Sequence, residues 1–244
     1  MWGKDKLVNE IEFVAIDKYA FEVCPKPFPA SQALPQWWKN ALPYIKSPQN
    51  PDGKKIIIEN RESNASFKKC TPMLDVLSSG YVVPLWTDIQ IRNVNNYPVI
   101  TWRTTRDVFE IHNGQEVEIP DGYQNTQVKF LNQWIPKLPK GFSALIIPCP
   151  GYPNSVLRPI SAIIDYDKTT HALYPPMYLK EGFEGIIEKG TPMFQVIPFK
   201  RDLWKIKINK EEKNMLKARE HQKIIKSVFS NSYKKIFWSR KEYN

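Results

Sequence analysis

The chain has 244 residues, of which 42% are hydrophobic and 13% aromatic, and its formal net charge is +10. This apolar content suffices for a packed core and argues against global disorder. No segment reaches the ~20 apolar residues that a membrane-spanning helix needs, so no membrane association is expected. Three isolated cysteines and an amino terminus without an apolar signal region predict a reducing, cytoplasmic location without disulfides or a cysteine zinc site.

The positive charge is concentrated near the carboxyl end. Residues 200–244 contain 14 Lys or Arg against 5 Asp or Glu, a net charge of +9, which leaves about +1 for the rest of the chain. The 21 prolines against 10 glycines favour edge strands and rigid loops over long helices. We therefore expect an amino-terminal extension over 1–79, a β core over 80–199 and a basic tail over 200–244.

A first strand and a proline-rich extension are predicted at the start of the chain. Ile11–Ile16 alternates loosely between apolar and polar residues, as a half-buried strand does. Residues 24–52 contain seven prolines. Within them, Leu34–Leu42 is predicted to form a short helix with Pro35 near its first turn.

Two further elements precede position 80. Lys54–Glu59 contains three consecutive isoleucines and predicts a short buried strand. Thr71–Gly80 has the signals of a complete helix. We expect Thr71 as the N-cap, Pro72 as the first helical residue and Gly80 as the left-handed stop.

From Tyr81 onward the pattern is that of short strands separated by turns. The predicted strands are Tyr81–Trp86, Thr87–Arg92, Pro98–Thr104, Val108–Ile111, Glu116–Ile119, Val128–Trp134, Phe142–Pro148, Val156–Ile164, Phe183–Ile187 and Met193–Phe199. Turns are predicted at Asn95-Asn96 and at His112-Asn113-Gly114, since Asn-Gly is a strong hairpin signal. This pattern of short strands and frequent turns indicates a sandwich, clip or barrel rather than a parallel βαβ fold.

The tail has a different pattern. Asn209 is predicted to cap a helix over Lys210–Val228, with Glu211 and Glu212 at its positive end. After it, Tyr233–Tyr243 alternates basic residues with aromatic and aliphatic ones. The sequence thus predicts a basic, helical carboxyl-terminal tail.

Motifs for common catalytic chemistry are missing from the sequence. We find no phosphate-binding loop, dinucleotide fingerprint, zinc-protease motif or nucleophile elbow. His112, His171 and His221 have neither a second histidine nor a carboxylate at metal-site spacing. We therefore expect no metal and no cofactor.

Several short patterns in the β core occur in a recognisable order. They are Gly80–Leu85 with Asp88–Ile91, the turn and strand Pro139–Pro148, the Ile164–Asp167 step and Ile187–Ile197. This order resembles the dUTPase superfamily, over about Gly80–Phe199 and best over Gly141–Phe199, with a longer hairpin region near Asn95–Tyr123. The resemblance implies a mainly β fold: a β-clip, dUTPase-like sandwich with an amino-terminal proline-rich extension and a basic helical tail.

The resemblance does not carry the family's chemistry with it. Asp165 matches the aspartate that orients or activates the attacking water in the family. It is the one catalytic candidate, and the alternative is a turn residue. Lys168 stands where an aromatic residue is expected, and Pro148–Gly151 replaces the phosphate element without its cation or hydroxyl. Tyr81–Leu85 lacks the first-motif aspartate, and no glycine-rich arm is present. Nucleotide hydrolysis needs such charge neutralisation, so these losses argue against it.

A second resemblance concerns the source. The Gly-Tyr-x-x-Pro-Leu element at Gly80 and the Gly-Thr-Pro-x-x-Gln element at Gly190 are similar to those of an uncharacterised group of bacterial and bacteriophage proteins. This similarity implies a bacteriophage source and a location in the host cytoplasm or the virion. The superfamily resemblance also implies a homotrimer as one form of self-assembly.

Tryptophans and tail residues are the binding candidates. Trp37 and Trp38 either anchor a partner or hold the proline-rich loop on the sheet. In the tail, the candidates are Trp204, Lys234, Lys235, Trp238 and Arg240. The tail's charge suits an acidic protein surface or nucleic acid, and a solvated helix is the simplest alternative.

These observations lead to one leading hypothesis and two alternatives. The leading hypothesis is a non-catalytic scaffold or structural protein of bacteriophage type that acts through protein–protein contacts. The first alternative is a divergent dUTPase- or deaminase-like nucleotide enzyme that uses Asp165. The second is a nucleic-acid-binding protein that uses its basic tail.

Overall fold

The structure, a computed structural model, describes residues 9–59, 61–95, 97–112, 118–152, 155–172, 174–208, 210, 212–225 and 233–244. The chain forms two compact units. The first comprises Met1–Ala33 with Gly80–Arg201, and the second comprises Leu34–Ser79 with Asp202–Asn244. The predicted segmentation at positions 79 and 199 stays a prediction.

The described chain is mainly β, with sixteen strands. In chain order they are β1 (Glu12–Ala15), β2 (Phe28–Pro29), β3 (Ile57–Ile58), β4 (Arg61–Glu62), β5 (Tyr81–Pro84), β6 (Ile89–Val94), β7 (Tyr97–Trp102), β8 (Phe109–Ile111), β9 (Tyr123–Phe130), β10 (Trp134–Lys137), β11 (Phe142–Ile147), β12 (Leu157–Pro159), β13 (Ala162–Ile164), β14 (Pro176–Lys180), β15 (Gly185–Ile187) and β16 (Pro192–Lys200).

Helices are short, apart from one in the tail. The α-helices are α1 (Lys18–Val23), α2 (Gln36–Asn40), α3 (Thr71–Ser78) and α4 (Glu212–Ile225). Ala30–Ala33 and Phe67–Lys69 form 3₁₀ turns, and Tyr233–Phe237 forms a π-helical turn. No described helix is long and apolar enough to cross a bilayer.

The strands form five antiparallel sheets, four of them in the first unit. These four have the orders β13-β11-β16-β5-β2, β12-β14-β9-β8, β15-β6-β7 and β1-β10, and β3-β4 forms a hairpin in the second unit. The long strand β16 lies at the centre of the five-stranded sheet, pairing with β11 on one side and β5 on the other. Its register places Lys200 opposite Phe142, so β16 ends where β11 begins.

One hydrophobic core holds the first unit together. Strands from three of the four sheets contribute buried residues to it, among them Val83, Ile91, Phe130, Ile146 and Phe194, and β1 packs the partly buried Phe13 and Ala15 against it. Phe130 and Phe194 meet edge to face, with their ring centroids 6.4 Å apart. Each fully buried aliphatic or Phe side chain stabilises the fold by roughly 1.5–3 kcal/mol, so this core dominates the stability of the unit.

Most of the predicted strands are confirmed, but two of them are interrupted, and Glu118 and Ile119 of the predicted strand Glu116–Ile119 lie in no strand. Val128–Trp134 is divided between β9 and β10, because the Asn132 side chain accepts from Trp134 N at 3.2 Å and donates to Trp134 O at 2.6 Å. Val156–Ile164 is divided between β12, which pairs with β14, and β13, which pairs with β11. Pro159 ends β12, as expected of a residue that lacks a ladder donor.

Other details of the prediction need correction. Ile57 and Ile58 form a strand as predicted, but they are 49% and 58% exposed rather than buried. Thr71 is the first residue of α3 and not its cap, a position that Cys70 takes without a side-chain hydrogen bond. Gly80 has the predicted left-handed conformation, with φ of +71°.

Some elements of the structure were not predicted, and some predicted features fall on residues that the structure does not describe. α1 was not predicted, although Asp17 caps it by accepting from Ala20 N at 2.9 Å. β14 was not predicted either. The predicted cap at Asn209, the predicted turn residues Asn96, Asn113 and Gly114, positions 116–117 and helix positions 226–228 lie outside the described residues.

Gly80 offers a test of the packing between β5 and β16. A Cβ at this position would lie 2.1 Å from Val196 O, whereas a Cβ at Gly122, with φ of +79°, would meet nothing within 4 Å. The left-handed backbone costs either alanine about 1–2 kcal/mol, and the clash at Gly80 adds about 1–3 kcal/mol. In urea unfolding, we expect Gly80→Ala to lower the free energy of unfolding by about 3 kcal/mol and Gly122→Ala by about 1 kcal/mol. Equal losses would contradict the predicted close approach.

Candidate functional site

Asp165, the one catalytic candidate, lies in the turn that follows β13 and is already bound by neighbouring side chains. The Ser143 hydroxyl on β11 donates to its Oδ1 at 2.6 Å. Arg201 Nη1 lies 3.1 Å from the same oxygen, and Lys168 Nζ lies 3.6 Å from Oδ2. The hydrogen bond from Ser143, with Arg201 and Lys168 nearby, lowers the pKa of Asp165.

Asp167, two residues further on, is held more tightly. Arg201 donates to both of its oxygens, through Nη1 to Oδ1 at 2.8 Å and through Nη2 to Oδ2. Gly141 N also donates to Oδ2 at 2.9 Å, and only 3% of the Asp167 side chain is exposed. The bidentate arginine and the backbone donor hold the pKa of Asp167 well below its usual range.

This arrangement ties a turn to the sheet. Arg201 Nη1 also donates to Phe142 O and to the Ser143 hydroxyl, both at 3.0 Å. A general base works best when its pKa lies near the operating pH, and both aspartates have shifted the other way. These contacts link the turn after β13 to the first residues of β11.

A cleft of about 460 Å³ lies beside this turn. Its lining residues are Glu10, Glu12, Lys137, Leu138 and residues 166–170. Tyr166 is almost wholly buried, and its hydroxyl has no hydrogen-bond partner among the described residues. Burial raises the pKa of that hydroxyl. The walls of the cleft thus carry carboxylates, lysines and hydroxyls.

The two adjacent tryptophans of α2 differ in exposure. Trp38 is buried, and Lys68 lies over its ring at 5.2 Å while donating to its carbonyl oxygen at 2.6 Å. Trp37 is 44% exposed and meets Trp38 edge to face, with centroids 5.7 Å apart. Trp38 is thus a structural residue of the second unit, and Trp37 presents part of its ring to solvent.

Trp238, in the tail, is bound within the second unit. Its indole Nε1 donates to both oxygens of Asp75 on α3, at 3.1 and 2.9 Å, and Lys241 Nζ lies 2.7 Å from the same carboxylate. Lys241 and Lys234 also lie over the Trp238 ring, at 5.7 and 5.5 Å from its centroid. The structure therefore brings two predicted binding residues, Lys234 and Trp238, together in a contact within the chain.

The remaining tail candidates are not gathered into one site. Arg240 lies 3.2 Å from Glu242 in an exposed ion pair. Lys235 is in the π-helical turn and is exposed. Neither lies in the carboxylate contact that holds Trp238, so the predicted residues are distributed along the tail.

Trp204 belongs to an exposed apolar segment, which was predicted only as part of the basic tail. Leu203, Trp204, Ile206 and Ile208 are between 87 and 104% exposed, and residues 201–208 form neither helix nor strand. Lys205 and Lys207 alternate with the last three of these residues. This alternation was visible in the sequence and is the signal that would have singled out residues 203–208, here named the docking segment.

Two comparisons with known proteins and a search of the described residues for metal-binding clusters give no match. A scan against protein-family models and a search of curated protein sequences each give no match. Among the described residues, no group of three or more His, Cys, Asp or Glu side chains is placed to hold a metal ion. The candidate site therefore has to be understood from its own contacts.

The Asp167–Arg201 pair predicts how stability depends on pH. Because folding lowers the pKa of Asp167, the pair stabilises the fold above the unfolded value near 4, and that contribution is lost as the pH falls further. We expect Asp167→Asn to lower the urea midpoint at pH 7 and to show a smaller drop than the wild type between pH 7 and pH 3.

The exposed turn residue Asp121 supplies a matched control. Asp121→Asn should leave both midpoints close to those of the wild type. An Asp167→Asn variant whose urea midpoint followed pH as steeply as the wild type would show that the ion pair does not stabilise the fold.

Proposed function

We propose that this chain is a non-catalytic scaffold or accessory protein that acts through protein–protein contacts made by the docking segment. The observation that carries the proposal is the near-complete exposure of Leu203, Trp204, Ile206 and Ile208 in a stretch that forms neither helix nor strand. Contiguous exposed apolar surface marks interaction sites in soluble proteins. Covering the three aliphatic side chains alone would contribute about 5–9 kcal/mol before the costs of association.

The pattern of the segment suits one mode of recognition. In an extended chain, successive side chains point to opposite faces. Trp204, Ile206 and Ile208 then share an apolar face, and Lys205 and Lys207 share a cationic one. Such a peptide adds to the edge of a sheet, where main-chain hydrogen bonds supply affinity and alternate side chains supply specificity.

Contacts in the first unit favour a scaffold over a nucleotide enzyme. Asp165 is bound by Ser143 and Arg201, and its lowered pKa makes it a weak base. At the place of the family's phosphate element, Cys149 is buried against Ala30 and Val82, and burial raises the pKa of its thiol to about 12. Turnover of deoxynucleotides with Mg²⁺ that disappears in Asp165→Asn would favour the enzyme instead.

We further propose a β-clip for the first unit. The proposal is supported by the position of the sequence patterns that resemble the dUTPase superfamily. Four strands that carry them, β5, β11, β13 and β16, are adjacent in one sheet. The dUTPase-like relationship and the proline-rich extension belong to the same proposal. A bacteriophage source, a place in a virion or the cytoplasm, and a homotrimer stay predictions.

Nucleic-acid binding through the basic tail is a second proposal with less support. Stacking needs an aromatic face that is open to bases, and two lysines lie over Trp238 while Asp75 binds its indole. Trp204 retains an open ring and nearby lysines. Salt-sensitive binding that is lost when residues 209–244 are deleted would favour nucleic acid.

A comparison of two triple variants tests the scaffold proposal. We expect Trp204→Ser, Ile206→Ser and Ile208→Ser together to change the free energy of unfolding by less than about 0.5 kcal/mol, because exposed side chains contribute little to folding. When a tagged chain is purified from cells that naturally produce it, this variant should lose a partner, either another protein or an untagged copy of the chain, that the wild type retains in fixed ratio.

The matched control replaces three other exposed isoleucines. Ile111, Ile163 and Ile186 are 64–66% exposed and lie on strands of the first unit. Their triple serine variant should retain the same protein. Equal retention by the wild type and both variants would remove the docking segment from the proposed function.

A further inference from the structure

We infer that the partner of the docking segment is a second copy of this chain, whose cleft beside β1 receives the segment. This inference rests on the proposed function and identifies the partner. The first observation is a match of charge and spacing. Lys205 and Lys207 are two residues apart in the segment, and Glu10 lies two residues before Glu12, the first residue of β1.

The spacing has a simple geometric basis. Alternate residues of an extended chain are about 7 Å apart and point to the same side. Two lysines on one strand can therefore meet two glutamates on a neighbouring strand in one register. Opposite charges facing each other across strands stabilise such a pair, and like charges destabilise it.

Pairing between two docking segments is disfavoured by the same rule. An antiparallel pair centred on Ile206 would place Lys205 opposite Lys207 twice, because the two segments are identical. Four positive charges would then share one face of a two-stranded ribbon. The segment therefore favours a surface that carries carboxylates. Another docking segment is for this reason a poor partner strand, and β1 is a good one.

The charged groups of the cleft leave Glu10 and Glu12 for this contact. Asp167 is held by Arg201, and Lys168 lies 3.6 Å from Asp165. Among the described residues, the one ion pair of Glu12 is a long, exposed one with Lys137, at 3.5 Å. Glu10 has no ion pair among the described residues. A lysine from another copy can thus replace Lys137 beside Glu12 and add a first partner for Glu10.

The cleft and the neighbouring strand also supply room and hydrogen-bonding groups. A volume of about 460 Å³ lies within the range of pockets that bind small molecules, so it accommodates at least one large side chain. Leu138 and Tyr166 contribute apolar surface to it. Among the described residues, β1 pairs with β10 alone, which leaves its other edge for a third strand.

The contact joins two different surfaces of the same chain. Such a heterologous interface closes into a ring or continues as a filament, depending on the rotation that relates successive copies. A chain that works as a scaffold by this contact assembles from one component. Its mass in solution is then a multiple of the monomer mass of 28.5 kDa.

Charge exchange tests the inference directly. Sedimentation equilibrium at low salt should show the wild type self-associating. We expect Lys205→Glu with Lys207→Glu, and separately Glu10→Lys with Glu12→Lys, to raise the dissociation constant at least about tenfold, because each pair of contacts becomes repulsive. The chain with all four substitutions should associate again, as should an equimolar mixture of the two double variants.

A control with the same charge change isolates the site. Lys213→Glu with Lys217→Glu alters α4 by the same amount and should leave association unchanged. A wild type that is monomeric at every concentration, or a four-substitution chain that stays dissociated, would overturn the inference. If the serine variant still loses a different protein in the purification experiment, the proposed function stands and only the identity of the partner falls.

Discussion

Three parts of the first unit meet at the guanidinium of Arg201. It binds both oxygens of Asp167 in the turn after β13, the backbone and hydroxyl at the start of β11, and the nearby Asp165. Arg201 N also donates to Gly141 O at 2.8 Å, directly after the end of β16. These contacts set the point at which the chain leaves the five-stranded sheet, and the docking segment begins two residues later.

The contacts of Arg201 determine the surroundings of Asp165 and Asp167. The sequence pattern predicted Asp165 as a catalytic candidate, whereas in the structure it accepts a hydrogen bond from Ser143 and lies beside Arg201. A charge of this kind stabilises a fold when it is paired and hydrogen-bonded. Beyond Arg201, exposed apolar side chains alternate with lysines, and the proposed function rests on that surface.

Short-range sequence patterns predicted much of the fold. Features that depend on contacts between residues far apart in sequence were not predicted. Alternating strands such as β6, β7 and β11 could be read from the sequence, and so could the left-handed Gly80. The division of Val156–Ile164 between two sheets could not, since the partners β14 and β11 lie far away in sequence. The role of Trp238 was missed because its partner Asp75 is 163 residues away. The alternation of apolar residues and lysines in the docking segment is visible in the sequence, but the exposure of its side chains is seen only in the structure.

Hydrogen–deuterium exchange of the backbone amides in residues 203–208 tests the central claim most directly. Amides of an extended, solvent-exposed segment exchange quickly, and those in a sheet-like contact exchange slowly. The account predicts that exchange in this segment slows as the protein concentration rises, while exchange in α4 stays unchanged. Fast exchange in residues 203–208 at every concentration would contradict it.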